Sequence, residues 1–131
     1  MNITLSDGTT SITLPVDMVW ADRHSWSPVE QTVNTSLTGA AIVDVGTRLT
    51  GRPLTLQSDE QHAWMPYASV SQIKEWADIA GKQISLTIGA DSFQVIFRHH
   101  DKPAVDVFAV IDYDTPDAQD WFYGVLKFTE V

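Results

Sequence analysis

From Val29 to Leu49 the chain alternates with the period of a β-strand, turns once, and alternates again. Val29, Gln31, Val33, Thr35 and Leu37 fall on one side, and Glu30, Thr32, Asn34 and Ser36 on the other. Thr38-Gly39-Ala40 supplies a turn. Ala41, Val43, Val45, Thr47 and Leu49 then alternate with Ile42, Asp44, Gly46 and Arg48. Branched Val, Ile and Thr side chains suit a pleated surface, so this stretch predicts two long strands in an extended hairpin. A hairpin of this length is more than the core of a 131-residue chain can cover. Its edges then stand open and call for a partner.

The remaining segments continue the β pattern. Ile3 and Leu5, then Ile12 and Leu14, alternate around Asp7-Gly8 and predict a small hairpin that stops at Pro15. Val16 to Trp20 is a further short strand, and Leu54 and Leu56 begin another after the Gly51-Arg52-Pro53 break. One helix stands out. Ser69 with Gln72 three residues on reads as a capping box. Ile73, Trp76, Ala77 and Ala80 follow as one apolar stripe, and Gly81 reads as the stop. Ile84 to Ile88 and Phe93 to Phe97 are strands joined by a Gly89-Ala90-Asp91 turn. Val105 to Tyr113 is the next strand, and Trp121 to Val131 the last, separated by the turn Asp114-Thr115-Pro116-Asp117. About eight strands and one helix, with no linker or repeat, predict a single domain over residues 1–131. The expected architecture is a two-sheet β-sandwich or partly closed barrel with one flanking helix.

Composition narrows the function classes. The formal charge is −9, which disfavours nucleic acid as a specific ligand and anionic membranes as a docking surface. Without cysteine, disulfides, thiolate zinc sites and cysteine nucleophiles are excluded. No apolar run approaches the ~20 residues of a membrane span, and the first residues do not read as a signal peptide.

The most enzyme-like spot is FRHHDKP, Phe97 to Pro103. Adjacent residues of an extended chain point apart, so His99 and His100 diverge, and His24 and His62 are isolated in sequence. A solvated loop is the leading reading, ahead of a metal site or a pH-sensitive contact. No Gly-x-Ser-x-Gly elbow accompanies the histidines. Asp112, Asp114, Asp117 and Asp120 cluster at a turn, where Asp serves the backbone; calcium ligation and a catalytic pair are weaker readings. Of five tryptophans, Trp76 lies on the helical stripe and belongs to the core. Trp26 and Trp64 sit in irregular stretches, as core or interface residues or as stacking platforms for sugars.

The order of elements resembles a known family. A short N-terminal hairpin, a long Thr/Val hairpin ending in GRPLTL, the helix SVSQIKEWADIAG and a closing block WFYGVLKFTEV look like the small tail-tube-fold proteins of bacteriophage tails and baseplates. The nearest likeness is to components of contractile-tailed phages such as the ripcord. The resemblance implies a non-enzymatic virion protein without cofactors, assembled in the host cytoplasm. It also implies a homo-oligomeric ring, commonly sixfold, joined to other tail proteins and surrounding a channel for DNA. The interface expected from it comprises Val29, Val33, Leu37, Ile42, Val43, Val45 and Leu49 on the hairpin. Arg98, His99 and Lys102 are added as cationic contacts to acidic groups of a neighbour. The loops ADRHSWSPVE and QSDEQHAWMPYAS suggest an adaptor with several partners. The rival expectations are a carbohydrate-binding β-sandwich resting on Trp26 and Trp64, and a small hydrolase resting on His99 and His100.

Overall fold

A computed structural model of the chain describes residues 2–47, 51–111 and 114–131. Eleven strands and one helix follow in the order β1 (Ile3–Ser6), β2 (Ser11–Leu14), β3 (Val19–Trp20), β4 (Val29–Thr35), β5 (Ala41–Thr47), β6 (Pro53–Gln57), β7 (Met65–Pro66), α1 (Tyr67–Ala77), β8 (Gln83–Ile88), β9 (Asp91–Phe97), β10 (Val105–Ala109) and β11 (Trp121–Glu130). The chain is mainly β, as its alternation predicts. The expected strand to Tyr113 stops at Ala109, and Tyr113 itself lies outside the described residues. The two-residue strand β7 falls in HAWMPY, a stretch with no period to read.

Nine strands form one antiparallel sheet along the path β2-β1-β8-β9-β11-β6-β3, with β10 and β7 also paired to β11. The ten-residue β11 is the hub. Its Val125 to Thr129 pair with β6, while Phe128 to Glu130 pair with β9 and Phe122 to Leu126 with β10. A strand has two edges, so β9 and β10 share one and β6 and β7 share the other. The strands do not close into a barrel, which corrects that half of the expectation; the arrangement remains consistent with a β-sandwich.

The core lies against one face of this sheet. Leu5, Leu86, Leu54, Leu56, Leu126 and Phe128 are all inaccessible to solvent. They come from every second position of their strands, as period-two alternation requires. Helix α1 covers this core with Val70, Ile73 and Trp76. Burying an apolar side chain of this size contributes ~2 kcal/mol.

The start of α1 differs from expectation. It begins at Tyr67, with Pro66 at the N-cap and no side-chain cap, so Ser69 and Gln72 do not form the capping box. Two of its first free N–H groups are met by tertiary contacts instead: Tyr67 N donates to Asp120 O at 2.8 Å and Ala68 N to Ala118 O at 3.2 Å. The aspartate-rich turn is thereby tied to the helix start, and within it Asp117 N donates to Asp120 Oδ2 at 2.7 Å. These bonds fit the backbone role of the turn. At the other end, Gly81 has a φ of 70°, as a chain reversal there requires. Ala80 lies beyond the helix and is exposed.

Candidate functional site

Strands β4 and β5 stand apart from the large sheet as a two-stranded ribbon. Every residue of both strands is exposed. The register pairs Val29 with Thr47, Gln31 with Val45, Val33 with Val43 and Thr35 with Ala41. Directly opposed residues share a face, so Val29, Val33, Val43 and Val45 form one apolar stripe. Ile42 pairs with Asn34, and Asp44 with Thr32. Ile42 therefore lies on the polar face and not with the valines. Leu49 lies outside the described residues.

At the tip, Ser36 N donates to Ala40 O at 2.8 Å and Gly39 N to Ser36 O at 3.0 Å. Ser36 Oγ accepts from Ala40 N at 3.1 Å. This tight turn, with Gly39 at a φ of 85°, leaves Leu37 at 108% relative exposure. The ribbon is thus a stiff-tipped apolar finger in water. An isolated two-stranded hairpin is marginal alone, and a valine stripe left in solvent forgoes the burial that stabilises strands elsewhere.

The foot of the ribbon is anchored. The Arg52 guanidinium lies 4.8 Å from the Trp20 ring centroid, 5.2 Å from Trp26 and 5.6 Å from Phe93. Its Nη2 donates to Arg23 O at 3.2 Å. Gly51 N donates to Glu130 O at 2.9 Å, and Glu130 N to Arg52 O at 2.8 Å. Trp26 precedes β4 and Arg52 follows β5, so one cation–π cluster holds both roots against β3 and β9. Trp26 is accordingly half-buried, packed on its own chain.

The FRHHDKP loop proves to be internally committed. Asp22 accepts from Thr55 N and from Thr55 Oγ1, both at 3.0 Å. Thr55 Oγ1 in turn accepts from Arg98 Nη2 at 2.8 Å, and Arg98 Nε is 3.4 Å from Asp101 Oδ2. The Arg98 side chain is only 11% exposed. The Thr55 hydroxyl on β6 and the loop's own Asp101 carboxylate engage it, so it leaves the set of outward cationic contacts. His99 Nε2 sits 3.0 Å from Ala77 O, pinning the loop to the C-terminal end of α1, where a donor is welcome. Lys102 is exposed. Among the described residues, no group of three or more His, Asp or Glu side chains is arranged to hold a metal.

One residue that sequence reasoning passed over is structural throughout. A Cβ on Gly124 would meet the Asp106 carbonyl oxygen and lie 2.7 Å from Val107 Cα. The glycine lets β10 approach β11, and a glycine inside an otherwise alternating strand is the available signal for such an approach. Sequence reading counted Trp121 among the tryptophans able to stack on a sugar but singled out Trp26 and Trp64 as the exposed ones. Trp121 stands 49% exposed beside Trp64.

No family model, curated protein or solved structure matches the chain. Among the described residues no helix is long and apolar enough to cross a membrane.

Proposed function

We propose that this chain is a structural protein of a bacteriophage tail or baseplate, joining a ring that links the tail tube to other tail components. The observation that carries the reading is the projecting ribbon, exposed at every position and bearing a four-valine stripe and a bare leucine tip. Such a surface is stabilised by a neighbouring chain. When the same finger meets a different patch on the next copy, the contact is heterologous and repeats by rotation into a ring. The sixfold ring of the resembled family is the expected closure. The acidic charge suits a wall along which DNA passes without adhering.

Native mass spectrometry and cryo-electron microscopy of the chain with tail-tube and baseplate proteins test this. The expected result is a ring in which Val33 and Val43 are buried between subunits. Val33→Ser with Val43→Ser places no like charges opposite one another, changes monomer stability by ~1 kcal/mol or less because both sites are exposed, and abolishes the ring. A stable monomer that associates with no tail protein would sink the reading.

A further inference from the structure

We infer that the cleft between the 58–64 loop and the start of β11 binds a neutral saccharide, at a site separate from the assembly ribbon and independent of the assembly reading. Trp64 and Trp121 form its aromatic wall, with Asp17, Gln61, His62 and Ala63 around them, and it is an open depression of about 300 Å³. A second cleft of about 210 Å³ lies against the same two indoles, bounded by Val110, Ile111 and Asp120. The two rings have centroids 6.5 Å apart at 43°, so they do not cover one another face to face. Trp121 is 49% exposed. A half-exposed indole shared by two depressions suits the apolar C–H face of a pyranose, with neighbouring rings of an oligosaccharide in the depressions to either side.

Polar side chains border the larger cleft. Asp59 Oδ1 accepts from Gln61 N at 2.8 Å and from His62 N at 3.0 Å. It also lies 2.8 Å from His62 Nδ1. In the neutral tautomer that donates from Nδ1 to Asp59, Nε2 is an acceptor for a hydroxyl. The Gln61 amide both donates and accepts. Among the described residues no lysine or arginine lines either cleft, and the chain is strongly acidic, so anionic sugars are disfavoured.

Hydrogen bonds tie the loop to β11. Ser58 N donates to Gly124 O at 2.8 Å, and Gly124 N to Ser58 Oγ at 2.9 Å. Tyr123 Oη donates to Glu60 Oε1 at 3.3 Å. Ala63 holds a φ of 61°, the one positive value among the described non-glycine residues. Its N donates to Asp17 Oδ2 at 3.1 Å. A strained residue held by surrounding bonds is characteristic of ligand clamps, and a preformed loop lowers the entropic cost of binding. Among the described residues, the carboxylates at the two clefts are Asp17, which accepts from Ala63 N, and Asp120, which accepts from Asp117 N; both are engaged in holding backbone, which suits binding better than hydrolysis by a converging pair.

The test titrates the intact chain with maltotetraose, cellotetraose and the trimer of N-acetylglucosamine, using a heparin tetrasaccharide as the anionic control. Tryptophan emission and calorimetry are the readouts. Saturable binding of at least one neutral sugar and none of heparin is expected. Trp121→Ala weakens it about tenfold or more, and Gln61→Ala and His62→Ala weaken it severalfold. Val33→Asp leaves it unchanged, which separates this site from assembly. Absence of saturable binding by all three neutral sugars overturns the inference. So does unchanged affinity in Trp121→Ala, or a Trp121 signal that responds to self-association alone.

Discussion

Asp7 joins three parts of the molecule. Its Oδ1 accepts from Thr9 N at 2.9 Å and Thr10 N at 2.7 Å, closing the first hairpin. Its Oδ2 accepts from the Trp76 indole of α1 at 3.2 Å and lies 3.6 Å from Lys82 Nζ. The backbone N–H groups of Thr10 and Thr9, helped by Lys82 and Trp76, lower its pKa to about 2. A depressed carboxylate stabilises the fold above its ordinary value near 3.8, and that contribution fades as pH falls toward about 2. Asp7→Asn should therefore lower the thermal midpoint at neutral pH and flatten its acid dependence in this window. Equal pH profiles for the two proteins would contradict this. Gly124→Ala should cost ~3 kcal/mol or more by forcing a methyl into the β10 backbone, read as a lower urea midpoint. The Asp7-Gly8 turn was legible because its bonds are local. Arg98 was not: its acceptor, Thr55, is 43 residues away in sequence, and nothing in FRHHDKP points to it.

At the scale of elements, alternation in the Val29–Thr47 stretch was enough to read two strands and their turn, since period two needs no tertiary information. The same alternation already set Ile42 on the face opposite Val43 and Val45, and the register puts Asn34 across from it. The helix itself was legible from its stripe, whereas its start was not, because carbonyls of the 114–120 segment replace the expected serine cap. The ribbon's direction rests on Arg52. Because the chain has no cysteine, spin labels at Thr38→Cys on the tip and Glu75→Cys on α1 report that direction cleanly. Arg52→Gln should broaden the distance distribution between them and cost ~2 kcal/mol, the scale of a desolvated cation–π contact. A distribution as narrow as that of the same labelled chain with Arg52 intact would show that the backbone bonds of Gly51 and Glu130 suffice.

For the whole molecule, charge and the ribbon act in opposition. Copies carrying −9 repel one another, and salt shortens the reach of that repulsion to ~10 Å at 0.1 M. Raising salt from ~50 to ~500 mM should therefore increase the assembled fraction in sedimentation, as expected for an interface dominated by valine and leucine. Dissociation by salt would instead reveal ion pairs across the interface, with Lys102 the first residue to substitute. The sequence by itself determined the β class, the single helix and the long finger, because periodicity and turn chemistry are properties of neighbours along the chain. Tertiary structure alone decided that β11 is the hub of an unclosed sheet and that Arg98 turns inward. It alone brought Trp121 beside Trp64 and pinned the ribbon by a cluster drawn from four separate segments. Those outcomes depend on contacts between residues far apart in sequence, where the deciding energies are burial and charge, and no local pattern records them.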